Sequence, residues 1–209
     1  MKLAVFGATG GTGKQLVEQA LAAGHEVVAF ARDPSKLTTR HERLTIAPGD
    51  VTDQAAVECA VNGVEAVISV LGPRDNDRSK PITRGTQNIL AAMKKYGVRR
   101  FVLSSTPSAS DPNDLPDFRF KIAIGLVRLT LRSAYEDIVN TAQVVRASDC
   151  DWTIVRVSML TDAPKTGVVK VGHVGKTMGM RLSRADLAEF MLEQVQDAKY
   201  LRQAPAISN

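Results

Sequence analysis

Gly7-Ala8-Thr9-Gly10-Gly11-Thr12-Gly13 decides the reading of this chain. An apolar run, Leu3-Ala4-Val5-Phe6, precedes it. A helical pattern follows, with Leu16, Val17, Ala20 and Leu21 on one face. The glycines therefore stand between a buried strand and a helix, the context in which such spacing signals dinucleotide binding. Gly7 permits a tight turn, Gly10 lets a diphosphate approach the backbone, and Gly13 lets the helix pack closely on the strand. The amides of the first helical turn, near Thr12 to Lys14, point toward the phosphates together with the positive end of the helix dipole.

Working outward, Gly24 follows the first helix as a left-handed cap. The run Glu26 to Ala31 reads as a second strand and ends in Arg32-Asp33-Pro34-Ser35-Lys36. In dinucleotide folds this strand end meets the adenosine ribose: an acid there favours NAD, and an arginine accommodates the 2′-phosphate of NADP. Arg32 and Lys36 can surround a dianionic phosphate, so NADP(H) is expected over NAD(H). Asp33 then turns away to cap the Pro34 turn. Leu44–Pro48 reads as the third strand, followed by Gly49-Asp50-Val51. Asp50 and Val51 offer a polar partner and an apolar edge to adenine, or Asp50 merely starts the short helix 53–61. The fourth strand, 66–71, leads to Leu71, Gly72, Pro73 and Arg74, with Arg74 a phosphate or substrate contact or a loop charge. Residues 82–96 are helical in pattern and end at Gly97. The fifth strand, 100–103, ends in Ser104-Ser105-Thr106, three hydroxyls where a nicotinamide and its hydride acceptor would meet.

The order G-x-x-G-x-x-G, R-D-P-S-K, G-D-V, V-L-G-x-R and a hydroxyl-rich fifth strand resembles the NAD(P)H-binding, NmrA-like branch of the atypical short-chain dehydrogenase/reductase (SDR) superfamily, and its small flavin reductases in particular. The resemblance covers nearly the whole chain. It implies that Gly7, Thr9, Gly10, Thr12, Gly13, Arg32, Lys36, Asp50, Val51, Leu71, Gly72 and Arg74 line the cofactor, and Gly11 and Ser104 are expected beside them. Thr106 aligns with an active-site serine. Asp151 to Arg156 also resembles the group, which continues arginine-proline; here Val157-Ser158 stand instead, placing Ser158 against the nicotinamide.

The expected fold is α/β: a Rossmann-like, doubly wound parallel sheet with helices on both faces, in one domain of 209 residues. A substrate-side region is expected from residues 107–135 and 158–182. Between Phe118 and Tyr135 there is no acid, while Arg119, Lys121, Arg128 and Arg132 are present. Lys121, Arg128 and Arg132 are expected on one helical face. Such a face suits the carboxylates or phosphate of a substrate, but a solvated amphipathic helix with its aliphatics inward is the expected reading. A helix over about 134–148, a strand over 152–157 and a short strand at 168–171 follow. Ser183 to Asp186 reads as a capping box opening a last helix, 184–196. The tail after Tyr200 carries little signal.

Hydrophobic residues make up 44% and the net charge is +5. No apolar run of about 18 residues is present, and the amino terminus reads as a strand rather than a signal peptide, so a cytoplasmic location without membrane partners is expected. With 5% aromatic residues, no nucleic-acid partner is expected. Cys59 and Cys150 read as reduced, partly buried thiols, and His25, His41 and His173 have no metal-ligand spacing. Nothing in the sequence sets an oligomeric state.

The usual SDR acid, a tyrosine with a lysine four residues later, is missing. Tyr96, Tyr135 and Tyr200 are followed at that distance by Arg100, Val139 and Ala204. An isolated ketone needs a proton donor as hydride arrives. A flavin, quinone or linear tetrapyrrole delocalises the incoming charge and takes its proton from water. A planar conjugated acceptor is therefore expected, with Ser105 or Thr106 steadying the nicotinamide or relaying a proton. The alternative is a non-catalytic NADP(H)-binding redox sensor of the NmrA-like type. An epimerase or specialised pathway reductase is disfavoured by the missing pair.

Overall fold

The computed structural model describes residues 1–73, 77–175 and 178–209. The first strand, β1 (Lys2–Phe6), runs into the glycine turn and α1 (Gly11–Ala22). Then come β2 (Glu26–Ala31), β3 (Leu44–Pro48), α2 (Gln54–Val61), β4 (Ala66–Ser69), α3 (Pro81–Tyr96) and β5 (Arg100–Ser105). The second half contains α4 (Phe118–Thr130), α5 (Arg132–Arg146), β6 (Asp151–Arg156), β7 (Met159–Thr161), β8 (Lys170–Gly172), β9 (Arg181–Ser183), α6 (Arg184–Glu193) and β10 (Ala206–Ser208).

Among the described residues, eight strands form one sheet in the order β3-β2-β1-β4-β5-β6-β10-β8, parallel except for β8; β7 and β9 pair separately. Because β1 lies between β2 and β4, the chain leaves it in both directions and a crevice opens above its carboxyl end. Strand alternation distributes the core. Leu3 and Val5 face α1 and α6, packing with Leu16, Val17, Leu187 and Met191. Ala4 and Phe6 face the other way, toward Val57, Ile89, Met93 and Val145 of α2, α3 and α5. This is the expected doubly wound α/β fold.

Several expectations are corrected. The fourth strand stops at Ser69, two residues early, and Val70 and Leu71 continue from it into the cleft wall. The basic helix breaks at Leu131 (φ −126°, ψ 51°), so Arg132 opens α5, where it pairs with Glu136 and shares no face with Lys121 and Arg128. The aliphatics of α4 do not all point inward: Phe120 is buried, but Phe118, Ile122, Leu126 and Leu129 are exposed. The tail is not featureless, since β10 is a buried strand parallel to β6 and antiparallel to β8. Three residues are too few to show a period. Cys59 is exposed rather than partly buried, while burial pushes the Cys150 thiol up.

The capping box at Ser183 is half realised. Ser183 Oγ accepts from the Asp186 amide at 3.0 Å, but the Ser183 amide donates to Asn209 Oδ1, at the chain end, rather than to Asp186.

Candidate functional site

Two adjoining chambers of about 270 and 260 Å³ run along the carboxyl edge of the sheet and share Val70, Leu71, Gly72, Pro73 and Ile82. Together they have the size of small-molecule sites (roughly 300–1,000 Å³). Gly7, Thr9 and Gly10 line one side of the first chamber, facing Ala31, Arg32, Asp50 and Val51. Thr12, Ser104, Ser105, Thr106 and Ser158 line the second. One crevice thus connects the glycine turn to the hydroxyls beyond β5.

The glycine turn explains itself sterically. Gly7 adopts φ +86°, and a Cβ there would stand 2.9 Å from the Val70 carbonyl oxygen. A Cβ on Gly13 would stand 2.1 Å from the Gly7 carbonyl oxygen, so α1 starts directly against the turn. Gly10 is different: its Cβ would meet only the Gly7 oxygen, at 3.4 Å, and otherwise open space. Gly10 is the N-cap of α1 and carries no side chain to satisfy the first amides, which leaves them available to an anion.

Sequence reasoning missed what lies beside that turn. Arg184, the first residue of α6, crosses Gly11 so closely that a Cβ there would come within 2.7 Å of Arg184 Cδ. Arg184 lines the second chamber, and its Nη1 lies 2.7 Å from Asp162. Gly11 itself is exposed, and Gly13 is buried behind Gly7. The available signal was a cation directly after the serine cap of the last helix; its proximity to α1 comes from α1–α6 packing.

At the other end, Asp33 turns into its own loop as expected. Its Oδ1 accepts from the Ser35 amide (3.2 Å) and hydroxyl (2.6 Å), while Oδ2 lies 3.2 Å from Lys36 Nζ. These contacts, the Ser35 hydroxyl first, hold its carboxyl below the usual range. Lys36 therefore neutralises Asp33 and does not line the chamber, whereas Arg32 does. Asp50 Oδ1 accepts from the amide and hydroxyl of Thr52, which lowers its pKa, and Asp53 rather than Asp50 caps α2. Val51 is pinned: Asn88 Nδ2 donates to its carbonyl at 3.0 Å, and Gly85 leaves room for its side chain. Arg74 lies outside the described residues.

Around the second chamber, the Val157 amide donates to the Ser105 carbonyl at 3.0 Å, tying the turn after β6 to the tip of β5. The Thr106 hydroxyl accepts from the Ser108 amide at 3.3 Å. Ser158 Oγ is buried without a partner among the described residues. No tyrosine is among the residues lining either chamber. A second missed group is Asp137 on α5. Buried, it accepts from the Ile82 and Thr83 amides (3.1 and 2.8 Å) and the Thr83 hydroxyl, capping α3 from outside. Such a partner is needed because Lys80, at the N-cap position, is left-handed and makes no side-chain cap.

Beneath the substrate side, Arg156 is fully buried on β6 and donates to both oxygens of Asp114, to the Ala204 carbonyl and to the Ala109 carbonyl. Burial acts to raise the Asp114 carboxyl. Arg156, with the amides of Asp111 and Val174, outweighs this and holds it below the usual range. The pair anchors the loop between β5 and α4 to the sheet.

Fold and crevice together define a Rossmann-type nucleotide-binding protein. The chain belongs to the NAD(P)H-binding family, whose profile matches residues 7–198. That agrees with the NmrA-like, atypical SDR resemblance carried by the motifs. It is 32% identical over 205 residues to an uncharacterized chloroplastic protein of Arabidopsis thaliana, covering 92% of this chain and 71% of that protein. It is 35% identical over 125 residues to cinnamoyl-CoA reductase 1 of Oryza sativa subsp. japonica, a match spanning 54% of this chain but only 37% of that enzyme. The fold is shared with the anaerobillin reductase ChuY from Escherichia coli O157:H7, at a TM-score of 0.81 and 20% identity, covering 100% of this chain and 97% of that one. No helix among the described residues is long and apolar enough to cross a membrane.

Proposed function

We propose that the protein is an NADPH-dependent reductase that passes hydride to a flavin, a quinone or a similar planar conjugated acceptor such as a tetrapyrrole. The observation that carries this reading is a crevice running from an uncapped helix start to a cluster of hydroxyls, with no tyrosine in its wall. The first-turn amides of α1 hold the diphosphate, with Arg184 alongside. Arg32 takes the 2′-phosphate, and Asp50 and Val51 hold the adenine. Ser104, Ser105, Thr106 and Ser158 surround the nicotinamide, the unpartnered Ser158 hydroxyl being free to bond it. The cofactor supplies the hydride; the chain supplies orientation and exclusion of water. Residues 107–117, ahead of α4, and 158–182 form the acceptor side. That the structurally similar ChuY is an anaerobillin reductase is in keeping with a reductase reading.

Steady-state oxidation of NADPH with FMN, riboflavin or a quinone is expected to proceed well above the protein-free rate. If all three acceptors leave the rate at background, the reductase reading fails. The same tyrosine-free wall also suits a redox sensor. That reading predicts NADP(H) binding without turnover and a protein partner whose affinity follows the cofactor's redox state.

Arg32→Ala tests cofactor choice. Loss of a charge-assisted contact worth about 1.5–3 kcal/mol raises the NADPH dissociation constant roughly 10- to 150-fold and leaves NADH nearly unchanged. Equal losses for both nucleotides, measured by titration, would remove the 2′-phosphate role from Arg32.

A further inference from the structure

We propose that α4 is a membrane-surface helix that docks the protein on anionic lipid. Of eleven exposed large apolar side chains among the described residues, six lie between Leu115 and Leu131. Four of these, Phe118 (72% exposed), Ile122 (67%), Leu126 (59%) and Leu129 (82%), are on α4. At about 100° per residue they fall within an arc of roughly 80°. Phe120, which packs with Val174 and Met178, and Ile124, packed against the same cluster, lie on the opposite side. The helix thus has two apolar faces, one used by the fold and one left open. Single exposed apolar residues are ordinary; an ordered stripe of this kind marks an interaction surface.

The flanks identify the occupant. Arg119 borders one edge of the stripe, and Lys121 and Arg128 border the other. Lys121 and Arg128 have no ion-pair partner among the described residues, while Arg119 meets Asp117, the helix cap. No acid occurs between Phe118 and Tyr135. Two copies of α4 packed stripe to stripe would bring these cations together with no carboxylate on the helix to answer them. An apolar stripe with cations on both sides fits instead a helix lying in the plane of an anionic bilayer, with Phe, Ile and Leu in the acyl boundary and Lys and Arg among the headgroups. The α4 residues are not among those lining the crevice, so the proposal is independent of the nucleotide reading.

Co-sedimentation of the full chain with vesicles tests it. Binding is expected to phosphatidylcholine–phosphatidylglycerol vesicles and not to phosphatidylcholine alone, and to fall as salt is raised. Phe118→Ser/Leu129→Ser should weaken the partition coefficient at least about tenfold. Lys121→Gln/Arg128→Gln should weaken it about 25-fold, near 5-fold per cation. Both variants alter exposed positions, so unchanged Tm and NADPH affinity would confirm that the fold is intact. Absence of binding to anionic vesicles overturns the proposal, as does binding that both variants retain. A concentration-dependent dimer abolished by Phe118→Ser/Leu129→Ser also overturns it, by giving the stripe to a second copy.

Discussion

Gly13→Ala is expected to abolish NADP(H) binding and to destabilise the protein, because the new Cβ would be 2.1 Å from the Gly7 carbonyl oxygen and 2.8 Å from Ala8 Cα. Both are backbone atoms of a turn already held against Val70, so neither can move aside as a flexible side chain would. Overpacking of this kind costs about 1–3 kcal/mol and more where the backbone must shift. The cost falls on the start of α1, whose amides face the crevice. Gly10→Ala is the informative partner. Its Cβ meets only the Gly7 oxygen at 3.4 Å, and its backbone (φ −75°, ψ 167°) suits any residue. Losing a glycine N-cap costs about 1 kcal/mol or less, so the fold survives. The methyl then stands where a diphosphate would approach. Denaturation curves and NADPH titrations on both variants separate the roles: Gly13→Ala loses stability and binding, Gly10→Ala binding alone. Normal NADPH affinity in Gly10→Ala would place the diphosphate elsewhere.

Asp114→Ala is expected to cost about 3–5 kcal/mol, the range for removing one partner of a buried ion pair and leaving the other charge uncompensated. The Arg156 side chain is fully buried, and without Asp114 its Nη2 loses the 2.8 Å contact to Oδ1. A typical domain has only about 5–15 kcal/mol of stability, so the loss is readily measured by urea denaturation. The pH dependence has a definite sign. The folded pKa of Asp114 is depressed, so the unfolded chain binds its proton first as pH falls. The pair's stabilisation is therefore complete above the unfolded carboxylate value, about 3.9, and is lost as pH drops through the lower folded value. The wild-type protein should lose stability steeply across that acid window, and Asp114→Ala less steeply. Parallel profiles would show that the pair contributes nothing there.

Much of the architecture was legible because it is written in short-range pattern. The glycine turn, the apolar arc of α1 and the strands at 26–31 and 44–48 all follow from spacing and alternation. Asp33 capping its own turn was legible too, since an aspartate readily accepts from the backbone amide two residues on and Pro34 presets the turn. The groups that were missed act at long range. Asp137 caps a helix start 55 residues away, and Arg184 reaches Gly11 from the opposite end of the chain. Asp137 leaves no local mark, and the cation after the Ser183 cap marks Arg184 without saying what it will meet. The open stripe on α4 was misread for a related reason: an all-apolar circumference punctuated by cations does not say which arc the rest of the protein will cover.

The strand–turn–helix start, the alternation of strands and helices and the absent tyrosine–lysine pair are all properties of neighbours along the chain and can be read there. Only packing decided that Arg184 would cross Gly11, that residues 206–208 would join the sheet, and which side of α4 would stay open. Those outcomes depend on which surfaces meet once the helices pack on the sheet, and packing is a relation between distant segments that no local period encodes.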